Sequence, residues 1–190
     1  MPLFELTETV LELSMPTVVV AGSFLTAMKE FQAEGRGGPE DDTMIGAEIR
    51  EWQGRWGAPE GFAAYVAALR AQSEEETPRP AGWVSCTTWW WVDGPGYLGR
   101  IALRHQLTDR LRETGGHIGY DVRPTARRQG HATAMLRAVL PLAHGMGINP
   151  VLVTCDVDNL ASRRVIQANG GVLEDERYGK LRFWVSAYQP

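Results

Sequence analysis

The segment from residue 119 to 157 constrains the fold more than any other part of this chain. An extended run, Gly119 to Val122, leads into a basic turn, and apolar residues then recur at helical spacing from Ala132 to Ala143. A strand of the buried type follows at Val151 to Val157. This order of strand, helix and strand predicts two parallel strands joined by a right-handed crossover.

The turn between this strand and helix has the chemistry of an anion site. It reads Arg127-Arg128-Gln129-Gly130-His131-Ala132, and no Asp or Glu occurs from Val122 to Thr154, although the formal charge of the chain is -4. A helix begins with unpaired N–H groups, and its dipole favours a negative ligand there. Gly130 permits a sharp bend and a close approach, and arginines can fork onto phosphate oxygens. On local chemistry alone, an ordinary basic loop is an equally good interpretation.

The order of the motifs resembles that of the GCN5-related N-acetyltransferases. That family binds the pyrophosphate of acyl-coenzyme A with a [Gln/Arg]-x-x-Gly-x-[Gly/Ala] loop, which is matched here by Arg127, Gly130 and Ala132. The strand that ends at Val122 precedes the loop. The segments that follow in the family's order are Val151 to Cys155, Asn159 to Ser162 and Asn169 to Gly171. The chain is similar in particular to uncharacterised bacterial acetyltransferases that share the segments Gly115 to Tyr120 and Cys155 to Asn159.

The resemblance implies an α/β (α+β) fold of the GNAT type. A central mixed, mostly antiparallel sheet would be flanked by helices, with the parallel crossover at the acyl-CoA site. We expect a single domain over residues 1–190, in which residues 1–80 supply a strand and helices on the acceptor side and residues 81–190 supply the sheet and the acyl-CoA core.

Periodicity in the rest of the chain predicts further elements. The predicted helices lie at Val19 to Phe31, within Asp41 to Trp56 and at Pro59 to Leu69. The predicted strands are Leu3 to Leu13, Trp83 to Val92, Tyr97 to Leu103, His117 to Val122, Val172 to Tyr178 and Leu181 to Ala187. Pro141 should bend the crossover helix or end its regular part.

The resemblance also implies which residues contact the cosubstrate acetyl-CoA. Main-chain groups of Tyr120 and Val122 would line the pantetheine arm, and Asn159 and Ser162 would lie near it. The pyrophosphate would be held by Arg127, Arg128, Gln129, Gly130, His131, Ala132 and Thr133. Asn159 is explained equally well as a helix cap.

The implied reaction transfers an acetyl group to a primary amine by direct attack in a ternary complex. It needs a base, for which His117 and Asp121 are candidates because they alternate onto one face of a strand, with His105 as a third. Each of them is explained more simply as a hydrogen-bonded polar residue. Many family members carry a tyrosine seven residues past the asparagine to protonate the thiolate, but this chain has Ile166 there, so the donor is unidentified. The alternative function is a non-catalytic acyl-CoA sensor or regulatory module, and a nucleotide-binding site is a third reading.

Composition argues against several other classes of protein. No apolar run approaches the ~20 residues that span a bilayer, and no basic segment opens a signal peptide. Two cysteines, Cys86 and Cys155, are too few for a disulfide framework or a zinc site. We therefore expect a cytoplasmic enzyme without a metal, acting on a small-molecule amine or a peptide and not on nucleic acid. A homodimer is an open option, since one face of Trp89-Trp90-Trp91 can be core while the other covers a dimer contact or an acceptor pocket.

Overall fold

The computed structural model describes residues 10–188, which form one seven-stranded sheet with helices on both faces. The strands are β1 (Leu11–Ser14), β2 (Cys86–Asp93), β3 (Gly96–Arg104), β4 (Ile118–Val122), β5 (Val151–Asp156), β6 (Val172–Arg177) and β7 (Lys180–Val185). They lie in the order β1-β2-β3-β4-β5-β7-β6, and every neighbouring pair is antiparallel except β4 and β5. The mixed, mostly antiparallel sheet and its parallel crossover are thus confirmed.

The described residues also form five α-helices: α1 (Ala21–Ala33), α2 (Met44–Trp52), α3 (Pro59–Ala71), α4 (His131–Gly145) and α5 (Leu160–Ala168). Sequence signals explain several of their starts. The Thr43 side chain accepts a hydrogen bond from the Gly46 N–H and caps α2, and Pro59 occupies the first turn of α3, where a missing N–H costs nothing. No helix within residues 10–188 is long and apolar enough to cross a membrane.

One predicted element lies mostly outside the described residues, and another differs from the structure in one respect. Residues 3 to 9 of the predicted first strand lie outside the described residues, and the strand that is described runs from Leu11 to Ser14. Pro141 does not end α4, which continues to Gly145. The buried face of α4 lies on other residues, including Leu136, Val139 and Leu140, so packing against the sheet maintains the helix beyond the proline.

The sheet separates two hydrophobic clusters, one on each face. The first joins α1, α2 and α3 to the sheet and centres on Phe24, which stacks on Trp90 with ring centroids 5.2 Å apart. The second joins α4 and α5 to the opposite face and contains Trp91, with Trp89 packed against it. The tryptophan run therefore alternates as predicted, but both of its faces belong to the core. Trp90 and Trp91 are buried, and half-buried Trp89 packs against the second cluster, so the run contributes chiefly to the core.

Candidate active site

The candidate site begins where β4 and β5 part. The two strands pair at a single position, Ile118 with Val153, and separate beyond it. The Arg104 N–H donates to the His117 carbonyl and the Arg123 N–H to the Leu98 carbonyl, at 2.8 and 2.9 Å. Hydrogen-bonded pairs alternate along an antiparallel ladder, so the main-chain groups of residues 119 and 121, which lie between these two bonds, also point towards β3. The main-chain groups of residues 120 and 122 therefore point the other way, towards β5. The opening is thus lined by backbone groups of β4 that do not pair with β5.

The turn before α4 presents a row of open backbone donors. Arg128 and Gly130 have φ values of 65° and 86°, and Gly130 is the N-cap of α4 without a side-chain cap. Among residues 10–188, no hydrogen bond uses the backbone N–H groups of residues 128 to 133. A Cβ placed on Gly130 would meet nothing within 4 Å, so this side of the turn is open space. An anion is the natural partner for such donors at a helix start.

Arg127 belongs to the loop motif, but its guanidinium is already occupied by contacts within the protein. Its Nη1 and Nη2 donate to the two carboxylate oxygens of Glu34 at 2.8 and 2.7 Å, and its Nε donates to the Val122 carbonyl at 3.0 Å. Arg128 is exposed and makes no ion pair within the described part of the chain. Arg128 is therefore the loop guanidinium that a ligand can reach without breaking an existing contact.

Glu30 lies in α1, one helical turn before Glu34 at the C-cap of that helix, and it holds the start of the loop in the same way. Its carboxylate pairs with Arg123 and also accepts hydrogen bonds from the N–H and the hydroxyl of Thr125. The Arg123 guanidinium holds the pKa of this carboxyl below its usual range. Two arginines of the acid-free segment are thus neutralised by α1, a pairing that the sequence did not indicate.

The remaining loop residues lie close to the open donors. The Nδ1 of His131 accepts a hydrogen bond from the Trp91 indole at 3.1 Å, which ties the start of α4 to the sheet. Because the indole nitrogen can only donate, neutral His131 carries its proton on Nε2 and keeps that donor. Gln129 is exposed and donates to the Thr125 carbonyl at 3.4 Å, while Ala132 and Thr133 are half-buried in the first turn.

A pair of hydroxyl groups connects β4, which borders the opening, to α5. The Tyr120 hydroxyl lies 2.7 Å from the Ser162 Oγ, and burial raises the pKa of Tyr120 to about 12. Asn159 caps α5 by accepting the Ser162 N–H at 3.0 Å, which confirms the helix-cap interpretation and leaves its side-chain NH₂ group available. The tyrosine hydroxyl was not predicted, because the contact joins residues that are 42 positions apart.

Ile166 takes no part in this opening. It is fully buried in the cluster beneath α4 and α5. Tyr178, a tyrosine further along the chain that could in principle supply a proton, is 81% exposed in the turn between β6 and β7. Tyr120, by contrast, belongs to β4, which borders the opening, and its hydroxyl contacts Ser162.

The candidate bases occupy different surroundings. His117 lies just before β4, and its Nδ1 accepts the Leu152 N–H at 2.8 Å, so the ring helps to join β4 to β5. Burial lowers the pKa of His117 to about 4. His105 follows β3, beside the start of β4, and its Nε2 lies 2.8 Å from the Thr87 hydroxyl; burial lowers its pKa.

Asp121 lies on β4 and faces the α1–α3 side of the sheet. Its carboxylate lies 3.7 Å from the Arg36 guanidinium. Burial raises the pKa of Asp121, against the opposite influence of Arg100 and Arg36. A carboxylate with a raised pKa is a better proton acceptor, so of the predicted bases Asp121 has the most suitable environment. Within residues 10–188, no group of three or more His, Cys, Asp or Glu side chains is arranged to hold a metal ion.

Comparisons with known proteins agree with this fold. Residues 40–172 match the model of the acetyltransferase (GNAT) domain. The structure of the microcin C7 self-immunity acetyltransferase MccE, in complex with acetyl-CoA and AMP, superposes with a TM-score of 0.58 at 13% identity, covering 93% of this chain and 92% of that one. No curated protein sequence matches the chain.

Two further solved structures share the fold. RimL, a ribosomal L7/L12 alpha-N-protein acetyltransferase in complex with coenzyme A, gives a TM-score of 0.58 at 16% identity, over 94% of this chain and 93% of that one. RimJ from Mycobacterium smegmatis, in complex with a coenzyme A disulfide, gives 0.61 at 17% identity, over 93% and 85%. At these identities the likeness establishes the fold alone.

Proposed function

This chain belongs to the family of acetyltransferase (GNAT) domains, and from that premise we propose that it transfers an acetyl group from acetyl-CoA to a primary amine. The observation that carries the proposal is the row of open N–H groups at residues 128–133, beside the opening between β4 and β5. A diphosphate needs such donors, and a pantetheine arm needs a strand edge with unpaired backbone groups. The two features adjoin each other here.

On the donor side, the pyrophosphate of acetyl-CoA would lie on the N–H groups of the loop and of the first turn of α4. Arg128 and the Nε2–H of His131 would add charge and a further donor. The pantetheine arm would extend along β4 and bond to the main chain of Tyr120 and Val122, with the side-chain NH₂ group of Asn159 on the other wall. In this proposal Arg127 acts indirectly, because it holds the loop against α1 through Glu34.

On the acceptor side, the amine must be neutral before it attacks the thioester carbonyl in a ternary complex. The new C–N bond forms, the C–S bond breaks, and the amine proton passes to Asp121, directly or through water. The thiolate takes a proton from the hydroxyl pair of Tyr120 and Ser162. Because a coenzyme A thiolate is a fair leaving group, this last proton transfer contributes less than the first.

One observation supports a non-catalytic alternative, an acyl-CoA sensor. Ile166 stands where many family members have the tyrosine that protonates the thiolate, and it is fully buried in the core. If the hydroxyls of Tyr120 and Ser162 do not replace that tyrosine, the chain would bind acyl-CoA without efficient turnover.

A thiol-release assay tests the proposal. The protein is mixed with acetyl-CoA and a panel of primary amines that includes short peptides, and free thiol is followed over time. Amine-dependent thiol release is expected and would exclude the sensor alternative. The melting temperature is measured in parallel with acetyl-CoA and with ATP. Stabilisation by acetyl-CoA without any thiol release would favour the sensor, and stabilisation by ATP alone would refute the assignment of the loop.

A further inference from the structure

A cavity of about 140 Å³ lies between α2 and α3, on the face of the sheet opposite α4. Its volume is close to that of engineered cavities of about 150 Å³ that bind benzene. We call it the α2–α3 cavity, and the residues that line it and matter here are Met44, Glu48, Glu51, Trp52, Tyr65 and Trp83. None of them belongs to the acyl-CoA motifs, so the cavity has no part in the donor side of the site.

Two carboxylates line the α2–α3 cavity, and one of them has no ion pair within the described residues. Glu51 is exposed and makes no ion pair within residues 10–188. Glu48 accepts hydrogen bonds from the Tyr65 hydroxyl and from buried Arg100, both at its Oε2. In the same described part of the chain, no hydrogen bond is made to its Oε1. Since Arg100 balances Glu48, the uncompensated charge at the cavity is that of Glu51.

Aromatic rings complete the lining. The Arg55 guanidinium carbon lies 4.0 Å from the centroid of the Trp52 ring, so a cation already stacks on one of these aromatics. Trp83 is 56% exposed, and Tyr65 packs beside Trp52 with ring centroids 5.5 Å apart. Carboxylates combined with aromatic faces are the usual binding partners of alkylammonium and guanidinium groups.

The α2–α3 cavity adjoins the strand on which the reaction is proposed to occur. The Met44 sulfur lies 3.8 Å from the position that a Cβ on Gly119 would take, and Gly119 belongs to β4. The Arg104 Nη2 donates to the same sulfur at 3.4 Å. A fixed guanidinium here disfavours a protonated amine beside β4, whereas Glu51 favours a cation inside the cavity. These charges would orient a molecule with two amino groups, so that the neutral, reacting amine lies beside β4 and the second, protonated group lies in the cavity.

We infer that the α2–α3 cavity binds a second, positively charged group of the acceptor, so that the substrate carries a cation in addition to the amine that reacts. The inference rests on the proposed function, because it names the class of acceptor for the same site. Diamines have this chemistry, and so do peptides with a lysine next to the reacting amine.

Matched acceptors test this inference. Diaminopropane, diaminobutane and diaminohexane are compared with propylamine, butylamine and hexylamine in the thiol-release assay. We expect kcat/KM for at least one diamine to exceed that of its monoamine by about tenfold. In a peptide arm, Ala-Lys peptides are compared with Ala-norleucine peptides. A preference for lysine with no preference among the diamines identifies a peptide as the source of the cation. Equal rates in both arms overturn the inference.

A substitution at the cavity separates charge recognition from general damage. Glu51→Gln keeps the size of the exposed side chain and should remove most of the preference for the cationic acceptor while leaving the rate with the matched monoamine unchanged. An equal loss with both acceptors would place Glu51 outside recognition and would contradict the inference. Glu60→Gln, on the exposed first turn of α3 and outside the cavity lining, is the control and should change neither rate.

A binding measurement keeps the inference testable if no amine is acetylated. Trp52 and Trp83 line the cavity, so diamines should change the tryptophan fluorescence at lower concentrations than the matched monoamines do. Trp83→Leu should reduce that signal. Selective diamine binding without thiol release would refute the proposed enzyme but support the cation site. Thiol release without any diamine preference in rate or binding would support the proposed enzyme but refute the cation site.

Discussion

Arg127 and Glu34 form a two-pronged ion pair that fastens the basic loop to α1, with both N–O distances below 2.9 Å. The pair is partly exposed, with about 40% of each side chain accessible. Because of this ion pair, Arg127 is not free to bind the pyrophosphate as the motif predicts. The neighbouring residue Arg128, which has no ion pair among residues 10–188, becomes the one that should contact a phosphate.

Substitution of the two arginines should therefore have different effects. Arg128→Ala should weaken coenzyme A binding by roughly tenfold or more, because a charge-assisted hydrogen bond is lost, and should leave the melting temperature unchanged. Arg127→Ala should lower the free energy of unfolding by about 1 kcal/mol, as expected for a partly exposed pair with one additional backbone contact. Isothermal titration calorimetry and denaturant unfolding measure the two effects. Glu34→Ala is the matched control, and a much larger loss of affinity in Arg127→Ala than in Glu34→Ala would show that Arg127 reaches the ligand.

Gly130 offers a second test of the loop. Gly130→Asp should lower the affinity for coenzyme A by at least about tenfold, because a carboxylate would stand beside the pyrophosphate. Gly130→Asn has nearly the same size and also tolerates a positive φ, so it controls for bulk and backbone strain. Calorimetric titration of both variants separates the effects. Equal affinity in the two variants would mean that no phosphate lies near this residue.

The hydroxyl pair at the opening should affect turnover more than binding. Tyr120→Phe removes the phenol but keeps the ring, and we expect kcat to fall by at least about tenfold while the affinity for coenzyme A is kept. Ser162→Ala should show the same pattern, since its Oγ is the partner of the phenol. Steady-state kinetics with a fixed amine measure both constants. An unchanged kcat in both variants would exclude the pair as the source of the thiolate proton.

Asp121 should control the acidic side of the pH–rate profile. A protonated carboxyl cannot accept the amine proton, so kcat/KM should fall as the pH drops below its pKa, which burial raises. Asp121→Asn should lower kcat/KM by about a hundredfold and remove that dependence. Stabilisation by acetyl-CoA should persist in this variant, because Asp121 faces the α1–α3 side of the sheet, whereas the loop proposed to bind the pyrophosphate precedes α4, which packs on the opposite side. A variant that keeps full activity would exclude Asp121 as the base.

His117 should make stability depend on pH. Its pKa is about 4 in the folded chain against 6.5 normally, so the folded state favours the neutral ring. The stabilisation is fully present above pH 6.5 and is lost as the pH falls towards 4, by up to about 3 kcal/mol. In His117→Asn the side-chain oxygen can still accept the Leu152 N–H, but nothing titrates. Denaturant unfolding at several pH values should therefore give a shallower slope in the variant, and parallel slopes would contradict the lowered pKa.

Much of the fold was predictable because its signals are local. The apolar spacing of α4, the proline at the start of α3 and the capping Asn159 each act within a few residues of the chain. The loop motif likewise places Gly130 at the helix start, where the structure has its N-cap. Pro141 was the exception, since α4 continues to Gly145 past a residue that disfavours a helix, while its apolar face stays packed on the sheet.

The partners of the site residues were not predictable from the same signals. Arg127 with Glu34, Tyr120 with Ser162 and Glu48 with Arg100 are separated by 93, 42 and 52 positions. No periodicity or motif connects residues so far apart, and only the packing of α1, α2 and α5 against the sheet brings them together.

The sequence by itself therefore determined the order of the elements, the alternation of the tryptophan run and the position of the turn that begins α4, because backbone propensity and side-chain period are local properties. The tertiary structure decided which arginine remains available to a ligand, which hydroxyls meet at the opening and where an acidic cavity lies beside β4. Those outcomes depend on ion pairs and hydrogen bonds between segments that are distant in the sequence. These contacts form only when the helices pack on the sheet.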